Sequence, residues 1–387
     1  MLRVSATVLV LAVVVVGIGL WATQPASGPP EGVAARPGSG ELDLRTDVGR
    51  KAPFLARFDV DELGRGAALD QIRAIDNPVF DTAEEAALLL RDTDLVISVE
   101  IDGDARAYPE KLLSLHEVVN DVIGGAPVAI VWCPLCRTAT AFERSVDGRP
   151  LVFGVSGLLY HRNVVLFDRE TGSLWSQLLG GAVTGSMRGT TLVPVPVVHE
   201  TFARWRLRHP TGEVLSIARD SHSDLFTDPI DASSAYGLAS ADARYTSYWA
   251  KVPTYYRGRV RGIRDSALVV GIVADGEAAA YPLRELAAKR VVEDEVGGEH
   301  VLLVFGDRRG LSASVFSRVV DDRTLSFALE RGQLVDTETG TSWSLDGRGL
   351  VGEHAGRELR LLPSTTSYWF AWRSVYRDTE VWRGTPG

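Results

Sequence analysis

The only two cysteines of the chain, Cys133 and Cys136, close an apolar run, Val128-Ala-Ile-Val-Trp-Cys-Pro-Leu-Cys136. An apolar strand that delivers two thiols to its end can present a metal or redox site. A soft thiolate pair selects zinc, copper(I) or iron over magnesium and calcium. Two thiolates are fewer than the four ligands zinc takes, so further donors are sought at His116, one element upstream, at His161, and at Met187, the sole methionine after the initiator.

Other chemistries compete for the same residues. Trp-Cys-Pro-Leu-Cys is similar to the thioredoxin active-site pattern, in which the helix after the motif lowers one thiol pKa. Here Arg137-Thr-Ala-Thr-Ala-Phe142 alternates like a strand, so that helix is not expected. A short disulfide that fastens a bend, or two buried thiols that only pack, is the bland alternative. A hydrolytic site would draw on His116 with Glu117, Asn120 or Asp121. Ser156 lacks the spacing of a nucleophile elbow.

Composition narrows the class. The chain has 387 residues, 45% of them apolar and 24% charged, which describes a packed globular protein with room for two domains. The net charge of −9, with no Lys/Arg cluster, argues against nucleic acid as a partner. With two cysteines the fold must rest on apolar burial rather than on a disulfide framework.

At the N-terminus, Val4 to Ala22 is nineteen residues without a charge, behind Arg3. As a helix it would cover about 28 Å, near the thickness of a bilayer core. Residues 1–22 therefore read as a membrane anchor, or as a cleaved signal peptide that leaves a secreted protein. In both cases the body is exported. Residues 23–40, rich in Pro, Gly and Ser, read as a tether, and 41–94 as an N-terminal extension of the first folded module.

The elements expected next must position the thiols. Ala83 to Arg91 reads as a short helix, and Leu95 to Tyr108 as a hairpin turning at Asp102-Gly103. Pro109 opens a helix through Asp121 that carries His116 and Asn120. Pro127 opens the strand that ends at Cys133. Strands follow over Thr138 to Arg144 and Leu151 to Val155, then Val164 to Phe167 and Ser173 to Ser176 flank a turn at Asp168 to Gly172.

The chain also matches itself. Asp102-Gly103 through Tyr108-Pro109 reappears 173 residues on as Asp275-Gly276 through Tyr281-Pro282, and Gly124-Gly125 as Gly297-Gly298. Asp168-Arg-Glu-Thr-Gly-Ser-Leu-Trp175 reappears as Asp336-Thr-Glu-Thr-Gly-Thr-Ser-Trp343. The expectation is a duplicated domain, too long in period for a solenoid: a first module at 95–210, an inter-module segment at 211–265 and a degenerate second module at 266–387. Cys133 then faces Gly306, Cys136 faces Arg309, His116 faces Lys289 and Asn120 faces Glu293. The chemistry belongs to the first copy. Asp168 and Glu170, kept as Asp336 and Glu338, read as a turn rather than as paired acids.

Asp76-Asn-Pro78, Ala107-Tyr-Pro109, His116-Glu-Val-Val-Asn-Asp121, Cys133-Pro-Leu-Cys136, Phe153-Gly-Val-Ser-Gly-Leu-Leu159 and Asp168 through Gln177 together resemble the domain of unknown function 3179 family. That resemblance implies an exported or membrane-associated prokaryotic protein and no established activity. One departure stands out: where such sequences commonly carry asparagine or serine after Gly-Leu-Leu-x, this one has His161-Arg162 before Asn163. The expected fold is a β-rich α+β protein, two homologous modules of mostly antiparallel sheet with short helices, packed about a pseudo-twofold axis. The first module would carry a metal-binding or redox centre; otherwise the chain is a non-enzymatic envelope protein with structural cysteines that binds a ligand or protein partner the sequence leaves unspecified.

Overall fold

The computed structural model describes residues 58–220, 259–306 and 313–384. The anchor and tether, the aromatic-rich stretch around Tyr245 to Tyr256, and Arg309 lie outside the described residues. Strands dominate, helices are short and the sheets are mostly antiparallel, as expected of the β-rich class.

The N-terminal part begins with β1 (Leu63–Arg65), β2 (Phe80–Thr82), β3 (Leu95–Ile101), β4 (Asp104–Pro109), β5 (Val118–Ile123), β6 (Ala126–Cys133) and β7 (Thr138–Glu143). It continues with β8 (Ser145–Val146), β9 (Arg149–Pro150), β10 (Phe153–Tyr160), β11 (Asn163–Asp168), β12 (Leu174–Ser176), β13 (Gly181–Ala182), β14 (Val193–Val195), β15 (Val198–Thr201) and β16 (Glu213–Leu215). Three larger sheets result, ordered β14-β7-β6-β5, β15-β3-β4-β16-β2 and β1-β10-β11-β12-β13, beside the two-stranded β8-β9.

Strand β6 explains its own apolar run. Ala129, Val131 and Cys133 point into one buried cluster, and Val128, Ile130 and Trp132 into another. A strand covered on both faces needs apolar residues at every position rather than at alternate ones. Each fully buried Val or Ile contributes about 1.5–3 kcal/mol relative to exposure.

Helix α1 (Ala83–Ala86) opens with a capping box between Thr82 and Glu85 and is shorter than the expected Ala83 to Arg91. Helix α2 (Glu110–His116) starts right after Pro109. It ends five residues before the expected Asp121, because Glu117 takes a left-handed φ of 59° and Val118-Val119 then pair with β6. β-branched residues favour that pleated surface over another helical turn. Asn120 and Asp121 therefore stand on a strand.

The C-terminal part holds β17 (Arg259–Val260), β18 (Ile263–Arg264), β19 (Leu268–Ala274), β20 (Glu277–Pro282), β21 (Val291–Val296), β22 (Glu299–Phe305), β23 (Ala313–Ser317), β24 (Val319–Val320) and β25 (Arg323–Thr324). After them come β26 (Phe327–Glu330), β27 (Gln333–Asp336), β28 (Ser342–Trp343), β29 (Gly349–Val351), β30 (Thr365–Tyr368) and β31 (Glu380–Val381). Helix α3 (Phe202–Arg208) belongs to the N-terminal part, α4 (Leu283–Lys289) and α5 (Trp369–Val375) to the C-terminal part.

The two parts share one core. The cluster that receives Cys133 and Cys136 also takes Tyr368 from the end of β30 and Trp369 to Trp372 from the start of α5. Tyr368 N–H donates to the Cys136 carbonyl at 2.9 Å, and the Tyr376 hydroxyl donates to the Leu178 carbonyl at 2.6 Å. Arg204 pairs with Asp346 across the same divide.

Candidate functional site

Cys133 is the last residue of β6, and it pairs with Thr138, the first of β7. Pro134 to Arg137 make the turn between them. Arg137 occupies the left-handed region at φ 51°, where a non-glycine residue costs about 1–2 kcal/mol. Its buried guanidinium lies 3.6 Å from Glu110, which in turn accepts from His199 at 2.7 Å. This buried ion pair anchors the exit of the turn. The segment that comes next is the strand β7, so the motif is not followed by a helix.

Both cysteines are buried and free, so no disulfide fastens the bend. The Cys133 S–H donates to the Arg162 carbonyl at 3.5 Å. Asn163 Nδ2 donates to Cys136 Sγ at 3.1 Å and to Gln177 Oε1 at 2.7 Å. Gln177 Nε2 bonds the carbonyls of Val131 and Thr138, at 3.1 and 2.9 Å, one on each strand that holds the cysteines. Leu178 N–H completes the clamp on Asn163 Oδ1 at 3.3 Å. The tip of the β10–β11 hairpin thus touches both thiols.

Burial pushes the Cys133 thiol well above its usual range, and the adjoining Cys136 and the Glu117 charge push the same way. Glu117 itself is a buried carboxyl raised to about 8 by loss of hydration. A neutral Cys133 thiol and a neutral Glu117 acid are what such a dry site holds at pH 7.

The two expected histidine donors make their hydrogen bonds elsewhere. His116 bonds the Arg73 carbonyl through Nδ1 at 2.7 Å and Asp220 through Nε2 at 3.2 Å. Burial lowers its pKa, but the Asp220 and Arg73 hydrogen bonds outweigh that and raise it. His161 Nε2 lies 2.9 Å from Glu62, outside the thiol pocket. Met187 packs partly buried against the same cluster as the cysteines, with its N–H on Ser173 Oγ. Among the described residues no group of three or more His, Cys, Asp or Glu is arranged to hold a metal ion.

Asn163 and Gln177 carry the site, and spacing alone does not single them out. A signal for Gln177 exists: Trp175-Ser-Gln177 aligns with Trp343-Ser-Leu345, so an amide stands where the C-terminal part has an apolar residue. The paired-acid question closes differently. Asp168 accepts from Thr171 N–H at 2.6 Å and Trp175 Nε1 at 2.8 Å, and Asp336 accepts from Thr339 N–H at 2.7 Å and Trp343 Nε1 at 2.9 Å. Both carboxylates are committed to holding a turn.

The fold and site define a β-rich chain with a buried, hydrogen-bonded dithiol at a hairpin turn. It belongs to the family described as "Protein of unknown function (DUF3179)", whose pattern matches residues 69–379, most of the chain. No curated protein and no solved structure matches it. Among the described residues no helix is long and apolar enough to cross a membrane.

Proposed function

We propose that the chain is an envelope-associated exported protein whose Cys133-Pro-Leu-Cys136 turn binds one soft metal ion through both thiolates. The carrying observation is the Asn163 amide on Cys136 Sγ, supported from behind by Gln177. An N–H donor fixed on a sulfur stabilises the thiolate over the thiol, the usual work of residues behind metal ligands. Two sulfurs in a dry pocket suit copper(I), which soft thiolates select, better than zinc, which takes four ligands. Binding would replace two S–H bonds by two metal–sulfur bonds and release two protons.

Residues 1–22 would hold the body on the extracytoplasmic side, or be removed to release it. The duplicated arrangement is part of the same reading. Its support is a shared strand order, β15-β3-β4-β16 against β30-β19-β20-β31, and seven-residue helices that end at His116 and Lys289. The C-terminal module would then serve as the wall that closes the thiol pocket.

Elemental analysis of protein purified from the exported compartment tests the metal. One equivalent of copper, abolished by Cys133→Ser with Cys136→Ser, is the expected result. Metal content near zero in wild type, with two free thiols by titration, removes the metal reading and leaves a binding protein whose cysteines only pack; a disulfide in the same titration supports a redox pair instead.

A further inference from the structure

The turn between β10 and β11 has two residues, His161 at φ 46° and Arg162 at φ 71°. Tyr160 and Asn163 pair across it. Two positive φ values in succession define the hairpin turn that favours Asn-Gly, because bulky side chains crowd the backbone there. The turn between β26 and β27 has the same two-residue form, Arg331 at φ 51° and Gly332 at φ 87°, and keeps the glycine. The strained pair therefore sits where the hairpin covers the thiols.

The two thiols are covered unequally. Cys136 takes the Asn163 amide on its sulfur, and its carbonyl is bonded to Tyr368 of the C-terminal part. The Cys133 sulfur meets the Arg162 carbonyl, inside the strained turn, besides the backbone and thiol of its neighbour Cys136. On the outer side the tip is held by Glu62, which receives Tyr160 Oη at 3.1 Å, His161 Nε2 at 2.9 Å and Arg377 at 3.4 Å. Glu62 and Arg377 are both more than a third exposed, so water competes for this latch.

We infer that the His161-Arg162 turn is a door over the dithiol, latched by Glu62, and that Cys133 is the thiol an incoming soft metal ion or electrophile meets first. The identity of the incoming group rests on the proposed function, and the door itself is a separate claim. Lifting the tip removes the Arg162 carbonyl from Cys133 while the bond from Tyr368 keeps Cys136 in place.

The test uses the full chain, reduced and metal-free, with iodoacetamide as the probe and peptide mass spectrometry reading each cysteine over time. Cys133 is expected to react first. The variant Arg162→Gly, which keeps the His161 contact with Glu62, relaxes the turn and should slow Cys133 by about fivefold, roughly 1 kcal/mol at 1.4 kcal/mol per tenfold. Glu62→Gln, which weakens the latch, should speed it. Equal rates at both cysteines with the urea dependence of global unfolding would overturn the inference, as would an unchanged Cys133 rate in both variants. Because no metal is present, absence of copper from the native protein leaves this result standing, and a copper-loaded protein with equal thiol rates refutes the door alone.

Discussion

The Asn163 side chain donates to Cys136 Sγ at 3.1 Å while Gln177 holds its amide in place, so a strand outside the cysteine hairpin sets the hydrogen bonding of a thiol within it. Replacing Asn163 by Leu keeps the volume and removes the donor. Copper(I) affinity, measured by competition with a chromophoric chelator, should fall about 10- to 100-fold, the usual loss when a residue behind a metal ligand is removed. Unchanged affinity would show that the amide is only packing.

Gln177→Leu copies the C-terminal part's Leu345 and strips hydrogen bonds from Val131, Thr138 and Asn163. Asn163 keeps Cys136 as a partner, while the two buried carbonyls lose their Gln177 donor at about 1–3 kcal/mol each, so a loss of about 4 kcal/mol in urea unfolding is expected, with the slope unchanged.

Glu117 gives a pH dependence of definite sign. Its carboxyl is raised from 4.5 to about 8 by burial, so the folded state keeps the proton where the unfolded state loses it. The stability present below the unfolded value is therefore lost as pH rises from 4.5 toward 8, by up to about 5 kcal/mol at 1.36 kcal/mol per unit. Glu117→Gln should flatten this slope and stabilise the protein at pH 8. Denaturation midpoints between pH 5 and 8.5 read both effects, and parallel curves for the two proteins would refute them.

His116→Gln and Met187→Leu should leave metal stoichiometry at the wild-type value by elemental analysis. The His116 ring is committed to Arg73 and Asp220, and Met187 is one of the partly buried apolar side chains packed against the core cluster. Loss of the metal in either variant would bring that residue into the ligand set.

Asp168→Ala and Asp336→Ala should destabilise by similar amounts, about 3 kcal/mol, since each leaves a buried indole N–H and a turn N–H without an acceptor. Calorimetry of both variants tests the equivalence of the two turns; a large effect at one and none at the other would count against a repeated module.

Much of this was legible in the residues. Alternation and turn chemistry marked the β3–β4 hairpin, the β6 strand ending at Cys133, the strand character of β7 and the Asp168 turn, because these depend on neighbours within a few positions. The end of α2 was not legible. Leu112, Leu113, His116, Val119 and Asn120 keep a helical spacing past the point where the chain turns left-handed at Glu117, and the pairing of Val118 with Val131 of β6 decides that break.

The sequence by itself located the dithiol of Cys133 and Cys136, since two thiols at one turn are visible without a fold. Tertiary structure alone decided their surroundings. Asn163 reaches Cys136 from 27 positions away, and the backbone N–H of Tyr368 arrives from the other end of the chain. Those contacts are fixed by how sheets pack, a property of distant surfaces that no local spacing encodes, and the same holds for the pairing of His116 with Asp220 and of His161 with Glu62.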